Sequence, residues 1–171
     1  MTEIIPDNIP LETEGTSIEQ IMEREPFACP MGAALGEACG LLIEHGVSGM
    51  PVVDDKQRVV GFISDGDIMR AVAQHRAHSI FNGDAASMLY FDAAPLEDKI
   101  AELKTRNVME LATSKVVCAT PNESIGRVAN TLSKRKFKKL PVVNEDGTLV
   151  GIIRRSAILR YVFSVMFGKE E

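Results

Sequence analysis

A shift of 90 residues lays this chain on itself. The stretch 50–72, MPVVDDKQRVVGFISDGDIMRAV, falls on 140–162, LPVVNEDGTLVGIIRRSAILRYV, and nine positions between 51 and 72 are identical, from Pro51/Pro141 and Val52/Val142 through Gly61/Gly151 and Ile63/Ile153 to Arg70/Arg160. Chance alone would give about one or two. The same shift brings Leu35 onto Ile125, Gly36 onto Gly126, Leu42 onto Leu132 and Met50 onto Leu140. The chain is a duplication of a unit of roughly 55 residues, too small to bury its apolar faces alone. Two such units must pack together, and the expected product is one pair with approximate two-fold symmetry and two related clefts.

Each copy reads the same way locally. In the first, Phe27-Ala28-Cys29 is a short extended piece followed by Pro30. Leu35, Ala38, Cys39, Leu42 and Ile43 then recur at the spacing of an amphipathic helix over Ala34–Glu44, stopped by Gly46. Met50–Val53 and Val59–Ile63 are β-branched runs joined by polar Asp54–Arg58, which reads as a hairpin, and a second helix follows with Asp65 or Asp67 placing negative charge at its start. In the second copy, Val116–Cys118 is the extended piece, and Thr120, Pro121 and Glu123 have the pattern of a capping box ahead of a helix carrying Ile125, Val128, Ala129 and Leu132. Leu140–Val143 and Leu149–Ile153 pair across Asp146-Gly147, and Ser156 is the expected cap of a last helix through Ile158, Leu159, Val162 and Phe163.

This order makes an α/β (α+β) chain with four parts. Residues 1–16 are a flexible N-terminal tail, and 17–73 are repeat one, with Ser17 capping a short lead helix through Ile18, Ile21 and Met22. Residues 74–105 are a connector with a break at Asn82-Gly83-Asp84 and a helix opening at Pro95-Leu96. Residues 106–171 are repeat two with the C-terminal helix.

Composition narrows the function. Three cysteines, Cys29, Cys39 and Cys118, with no CxxC pair argue against a disulfide framework or a structural zinc site, and a cytoplasmic location is the natural reading. No apolar run approaches the ~20 residues that span a bilayer, and the acidic, proline-bearing start is unlike a secretory signal. P-loop, GxSxG, HExxH and GxGxxG motifs are absent, and no nucleophile–base set is visible, so an enzyme is not expected. His75 and His78 have a spacing used in metal sites but lack acidic or thiol partners at suitable offsets, and a solvated helix end is the plainer reading.

The net charge of −5 hides an asymmetry: residues 1–100 carry 6 basic and 17 acidic side chains, and residues 101–171 carry 13 and 7. Lys134, Arg135, Lys136, Lys138 and Lys139 crowd into one short segment. With Phe137 the only aromatic among them and no companion motif, the segment reads first as a solvated helix end, second as an attractor of polyphosphate, and only weakly as a nucleic-acid patch.

The helix, the hydrophobic-x-x-x-P-V-V-D strand, the turn and V-G-hydrophobic-I-S-x-x-D-I together resemble the cystathionine β-synthase (CBS) domain. The tandem resembles the CBS pair, or Bateman module, over about 18–73 and 106–163. The resemblance implies two β-α-β-β-α repeats packed with pseudo-two-fold symmetry. It also implies a regulatory, non-catalytic module that binds an adenosine compound (AMP, ADP or ATP, or S-adenosylmethionine) in clefts between the repeats. Such a module needs no cofactor beyond that regulatory ligand, forms a homodimer, and reports to a partner enzyme or transporter.

The two copies differ where the family binds ribose. Its signature, G-h-h-[ST]-x-x-[DN] with h apolar, is complete in Gly61-Phe62-Ile63-Ser64-Asp65-Gly66-Asp67. A carboxylate suits the role because it accepts from both ribose hydroxyls, and Ser64 can donate to a sugar or phosphate oxygen. Read locally, Asp67 serves equally well as a cap of the helix that follows. The second copy reads Gly151-Ile152-Ile153-Arg154-Arg155-Ser156-Ala157, so its cleft lacks the clamp and one principal cleft is expected.

The resemblance puts adenine near Ser114, Lys115 and Val116 and near Phe137, Lys138 and Lys139. Val47 and Met50 hold the corresponding places in the weaker cleft, as core. The resemblance also sets Arg154 and Arg155 near the centre of the pair, either facing the phosphates of a nucleotide held by Asp67 or simply solvated. The competing functions are a ligand-free structural or protein-interaction module and nucleic-acid binding through 134–139. The apolar stretch Tyr161–Phe167 fits either a homodimer face or the intramolecular core.

Overall fold

β-Branched residues crowd the two expected hairpins, and the chain folds accordingly. The computed structural model describes residues 15–73 and 95–168, together with the backbone of three short strands outside those spans. In chain order the elements are β1 (Glu3–Ile4), β2 (Glu23–Arg24), β3 (Cys29–Pro30), α1 (Leu35–Glu44), β4 (Gly49–Val53), β5 (Val59–Ser64), α2 (Asp65–Ala73), β6 (Ala77–Ile80), β7 (Met88–Phe91), α3 (Leu96–Thr105), β8 (Val117–Cys118), α4 (Ile125–Lys134), β9 (Lys139–Val143), β10 (Leu149–Arg154) and α5 (Arg155–Phe167). Short 3-10 turns at Ile18–Gln20 and Val108–Glu110 lead into the repeats. The result is a mixed α+β fold in which β3-α1-β4-β5-α2 and β8-α4-β9-β10-α5 repeat one order. Among the described residues no helix is long and apolar enough to cross a membrane.

Contacts between the copies come in matched pairs under the internal shift. Glu23 on β2 pairs with Ile152, and Thr113 bridges Phe62; Ser17 bridges Ser124, and Asn107 bridges Ala34. At the hairpin tips the Val59 N–H donates to the Gly147 carbonyl at 3.1 Å and the Leu149 N–H to the Gln57 carbonyl at 2.9 Å. An approximate two-fold axis therefore passes near Arg58 and Thr148, which bridge each other.

These contacts exchange the lead segments. Ile18, fully buried, packs with Val117, Ile125, Leu132 and Leu140 in the core of the second repeat, while Val108 packs with Leu35, Leu42, Met50 and Ile63 in the first. A third cluster of Val53, Val59, Val116, Cys118 and Val143 seals the two repeats together. Close approach of the exchanged segment requires a glycine on the receiving strand: a Cβ on Gly151 would lie 2.9 Å from the Glu23 carbonyl oxygen and 2.9 Å from Met22 Sδ.

The exchange also moves a helix start. Thr120 and Glu123 do close a local turn, with the Thr120 N–H donating to Glu123 Oε1 at 2.9 Å. But the carbonyls of Pro121 and Glu123 accept from the Glu19 and Ile18 N–H groups, at 3.1 and 2.9 Å, and so are not available to begin a helix. Helix α4 begins instead at Ile125, capped by Ser124, whose Oγ accepts the Arg127 N–H at 3.3 Å.

Three further expectations are corrected. Ser156 lies inside the first turn of α5, with Arg154 at the cap position, and Ser17 makes no side-chain cap hydrogen bond. Ile43, assigned to the buried stripe of α1, is 82% exposed, because α1 turns Leu35, Ala38 and Leu42 into the core, with Cys39 and Leu41 packed beside them. The Asn82-Gly83-Asp84 break and the side chains of His75 and His78 lie outside the described residues.

Candidate functional site

The step from β5 into α2 carries Ser64 to Asp67. The Ser64 N–H and hydroxyl both donate to Asp67 Oδ2, at 3.0 and 2.6 Å, and the Asp67 N–H donates back to Ser64 Oγ at 3.3 Å. Arg70 holds the other carboxylate oxygen, Oδ1, at 3.0 Å. This reciprocal bonding is a capping box, so Asp67 does secure the start of α2. Capping does not exhaust it, since two carboxylate oxygens offer about four lone-pair sites. The same bonds hold an aspartate that is only 8% exposed in one orientation, on the wall of a cleft.

That cleft, about 320 Å³, opens between the Ser64–Asp67 turn and the second repeat. Phe62, Val116, Phe137 and Leu140 supply apolar surface, and Lys115, Lys136, Lys138 and Lys139 supply charge. Of the residues singled out in the sequence, Ser64, Asp67, Lys115, Val116, Phe137, Lys138 and Lys139 therefore meet on one cavity. Gly66 sits beside it, its N–H donating to Asp65 Oδ1 at 2.7 Å, and Ser114 is exposed between the lining residues Thr113 and Lys115. Lys139 reaches across the axis, with Nζ donating to the Gly49 carbonyl at 2.8 Å. Burial holds its ammonium below the usual lysine range, and the neighbouring Arg154 charge pushes the same way, opposed by Glu23 and Asp65.

Arg154 and Arg155 point elsewhere, which corrects the expectation that they face this cleft. Under the shift Arg154 stands where Ser64 stands, so its side chain enters the other cleft, where Nη2 pairs with Glu23 Oε2 at 2.9 Å. Arg155 donates from Nε to the Phe137 carbonyl and from Nη2 to the Leu132 carbonyl at 2.7 Å. A carbonyl of the last turn of α4 and one from the loop that follows it share its fork, and Arg155 thereby braces the loop that presents Phe137.

The twin cleft is closed. Its lining of Glu23, Pro26, Phe27, Val47, Ile152 and Arg154 matches the principal cleft position by position under the shift, yet encloses only about 10 Å³. The Arg154–Glu23 pair occupies it, and Phe27 stacks on His45 with ring centroids 3.5 Å apart. Ser48, Phe62, Asp65, Thr113 and Lys136 also line the open cleft and were not among the singled-out residues. Four of them had a signal: Phe62 and Asp65 lie inside the ribose signature, Ser48 is the counterpart of Lys138 under the shift, and Lys136 belongs to the basic segment.

The repeats, their exchanged lead segments and their paired clefts coincide with a known domain. The CBS domain family matches this chain twice, over residues 18–74 and 108–164. The chain belongs to the CBS-domain family.

Relatives of this CBS pair include the uncharacterized protein MJ1426 of Methanocaldococcus jannaschii, 32% identical over 152 residues that cover 83% of this chain and 88% of the relative. The L-aspartate semialdehyde sulfurtransferase of the same organism is 25% identical over 154 residues, which are 90% of this chain but only 25% of that enzyme, so the chain spans about a quarter of that relative's length. Among solved structures, CBSX2 from Arabidopsis thaliana superposes with a TM-score of 0.70 at 26% identity, covering 89% of this chain and 97% of that one. The CBS pair of protein MJ0100, solved with 5′-methylthioadenosine and S-adenosyl-L-methionine, superposes with a TM-score of 0.65 at 25% identity, covering 88% and 98%.

Proposed function

We propose that this CBS pair is a regulatory module that binds one adenine nucleotide per chain in the open cleft and reports its occupancy to a partner enzyme or transporter. The observation that carries this reading is the contrast between the twins. One cleft of about 320 Å³ presents an oriented Ser64–Asp67 pair opposite an apolar wall, while its counterpart of about 10 Å³ is filled by its own side chains. Asp67, held in place by Ser64, accepts from the ribose hydroxyls, the base lies against Val116 and Phe137, and the cleft lysines meet the phosphate end. The solved pair of MJ0100, which holds two adenosyl compounds, supports an adenosine moiety as the part the cleft receives.

Binding rather than turnover is the role. Burial pushes the Cys29 and Cys118 thiols up to about 11 and about 12, so neither supplies a thiolate nucleophile near neutral pH. Because the cleft walls come from both repeats, a bound nucleotide ties the repeats together. Mass action then adds about 2.7 kcal/mol of stability at a ligand concentration of 100 times Kd.

The module acts as a homodimer through α5, whose Leu159, Phe163, Met166 and Phe167 are 55% to 71% exposed in the single chain. Isothermal titration of the protein with AMP, ADP and ATP tests the binding reading. A stoichiometry near one per chain, and a loss of about tenfold or more in affinity for Asp67→Ala, are expected. Absence of heat with all three nucleotides would overturn it.

A further inference from the structure

The duplication provides its own control for the charge of the cleft. Lys115, Lys136, Lys138 and Lys139 line the open cleft, and the shift-equivalent positions of the first repeat hold Glu25, Gly46, Ser48 and Gly49. The repeat fold therefore needs no lysine at any of these places. Lys136 sits at φ 57° and Gly46 at φ 58°, the left-handed backbone that glycine tolerates and a lysine does not favour. A lysine retained at a glycine position, with its side chain on a cleft, is local strain at a candidate binding site.

Among the described residues, two carboxylates, Asp65 and Asp67, share the cleft lining with these four ammonium groups, and Glu23 acts on Lys139 from the twin cleft. Asp67 is already engaged by Ser64 and Arg70. Lys139 is fixed by the Gly49 carbonyl at 2.8 Å, while Lys115, Lys136 and Lys138 are exposed on long stems at the rim. The lining thus combines one anchored cation with three that can follow an extended anion.

We infer that this cleft selects its ligand by charge, taking adenosine di- and triphosphates ahead of the monophosphate and rejecting a sulfonium such as S-adenosylmethionine. The inference rests on the nucleotide reading of the cleft proposed above. Near neutral pH a nucleoside monophosphate carries about two negative charges, and each further phosphate adds about one. A sulfonium adds a positive charge next to the ribose and offers the lysines no phosphate to hold. The interaction is Coulombic at a partly open site, so it weakens with salt.

Titration of the full chain with adenosine, AMP, ADP, ATP and S-adenosylmethionine, without divalent metal, at about 50 and about 200 mM salt, tests it. We expect ATP to bind about tenfold or more tightly than AMP at the lower salt, the gap to narrow at the higher, and S-adenosylmethionine to bind at least about tenfold more weakly than AMP. The double variant Lys136→Gly/Lys138→Ser, which installs the residues of the first repeat, should bring the AMP-to-ATP ratio to within about threefold. Equal affinities for AMP and ATP, or S-adenosylmethionine binding as tightly as AMP, would overturn the charge selection while leaving an adenosine site standing. Failure of every adenosine compound to bind would remove both the site and its selectivity.

Discussion

Asp67 caps α2 and, in the function proposed for the cleft, also holds the ribose, and variants can separate the two roles. Its capping bonds to Ser64 survive in Asp67→Asn, because an amide oxygen still accepts, whereas Asp67→Ala removes them. We predict that Asp67→Ala lowers stability by about 1 kcal/mol in urea unfolding, and that Asp67→Asn stays within about 0.5 kcal/mol. Both should weaken nucleotide binding in titration, since an amide cannot accept from two ribose hydroxyls as a carboxylate does. Lys136→Gly should act in the opposite sense on stability. Relief of the φ 57° strain is expected to raise the urea midpoint, equivalent to about 0.5–1 kcal/mol with an unchanged m-value.

The buried thiols set a pH dependence. In the unfolded chain a thiol ionises near pH 8.5, approximately, whereas burial pushes Cys118 up to about 12 and Cys29 up to about 11. The folded state therefore keeps protons that the unfolded state loses, and this contribution, complete below the unfolded value, is lost as pH rises through the folded one. Lys139, whose ammonium is held down by burial, slopes the opposite way in the same window. The thiol part is thus read as a difference: stability should fall more steeply between about pH 8.5 and 10.5 for the native chain than for Cys118→Ala. The pairing at Asp67 was readable from a seven-residue motif because both partners lie on one turn. The partners of Arg154 and Arg155 were not, because Glu23 and the Leu132 and Phe137 carbonyls come from distant segments.

At the scale of elements, the exchanged lead segments decide how the two repeats depend on each other. Ile18 has no exposed surface and sits in the core of the repeat to which its own sequence does not belong. Ile18→Ala should cost about 3 kcal/mol, and thermal unfolding should remain one transition that takes both repeats together. Two separate transitions would show that the exchange does not couple them. The hairpins, α1 and α3 were legible because their signals are local: β-branched runs, a glycine at φ 58° behind α1, and a proline ahead of α3. The start of α4 was not, since the carbonyls that a Thr120 cap would have used are taken by Ile18 and Glu19 from the exchanged segment.

At the scale of the whole molecule, α5 stands out. Leu159, Phe163, Met166 and Phe167 lie along one stripe, and Phe163 and Phe167 touch each other at 4.8 Å while facing outward. The stretch therefore does little for the core of its own chain, and a second copy is the occupant proposed for it. Light scattering should report a dimer for the native chain and a monomer for Phe163→Glu, with the fold retained by circular dichroism. A native monomer would remove this part of the proposal. The charge asymmetry between the halves also acquires a location, since four of the basic residues of the second half line the open cleft rather than forming a tail.

By itself the sequence determined the duplication, the order of elements in each copy, the family resemblance and the one complete ribose motif. All of these depend on residues near one another in the chain or on its identity with itself. The tertiary structure alone decided which segments are exchanged, that Arg154 and Arg155 leave the open cleft, and that the twin cleft is filled by its own side chains. Those outcomes turn on which donor meets which acceptor across the two-fold axis, and no local pattern encodes a contact whose partners are brought together only by packing.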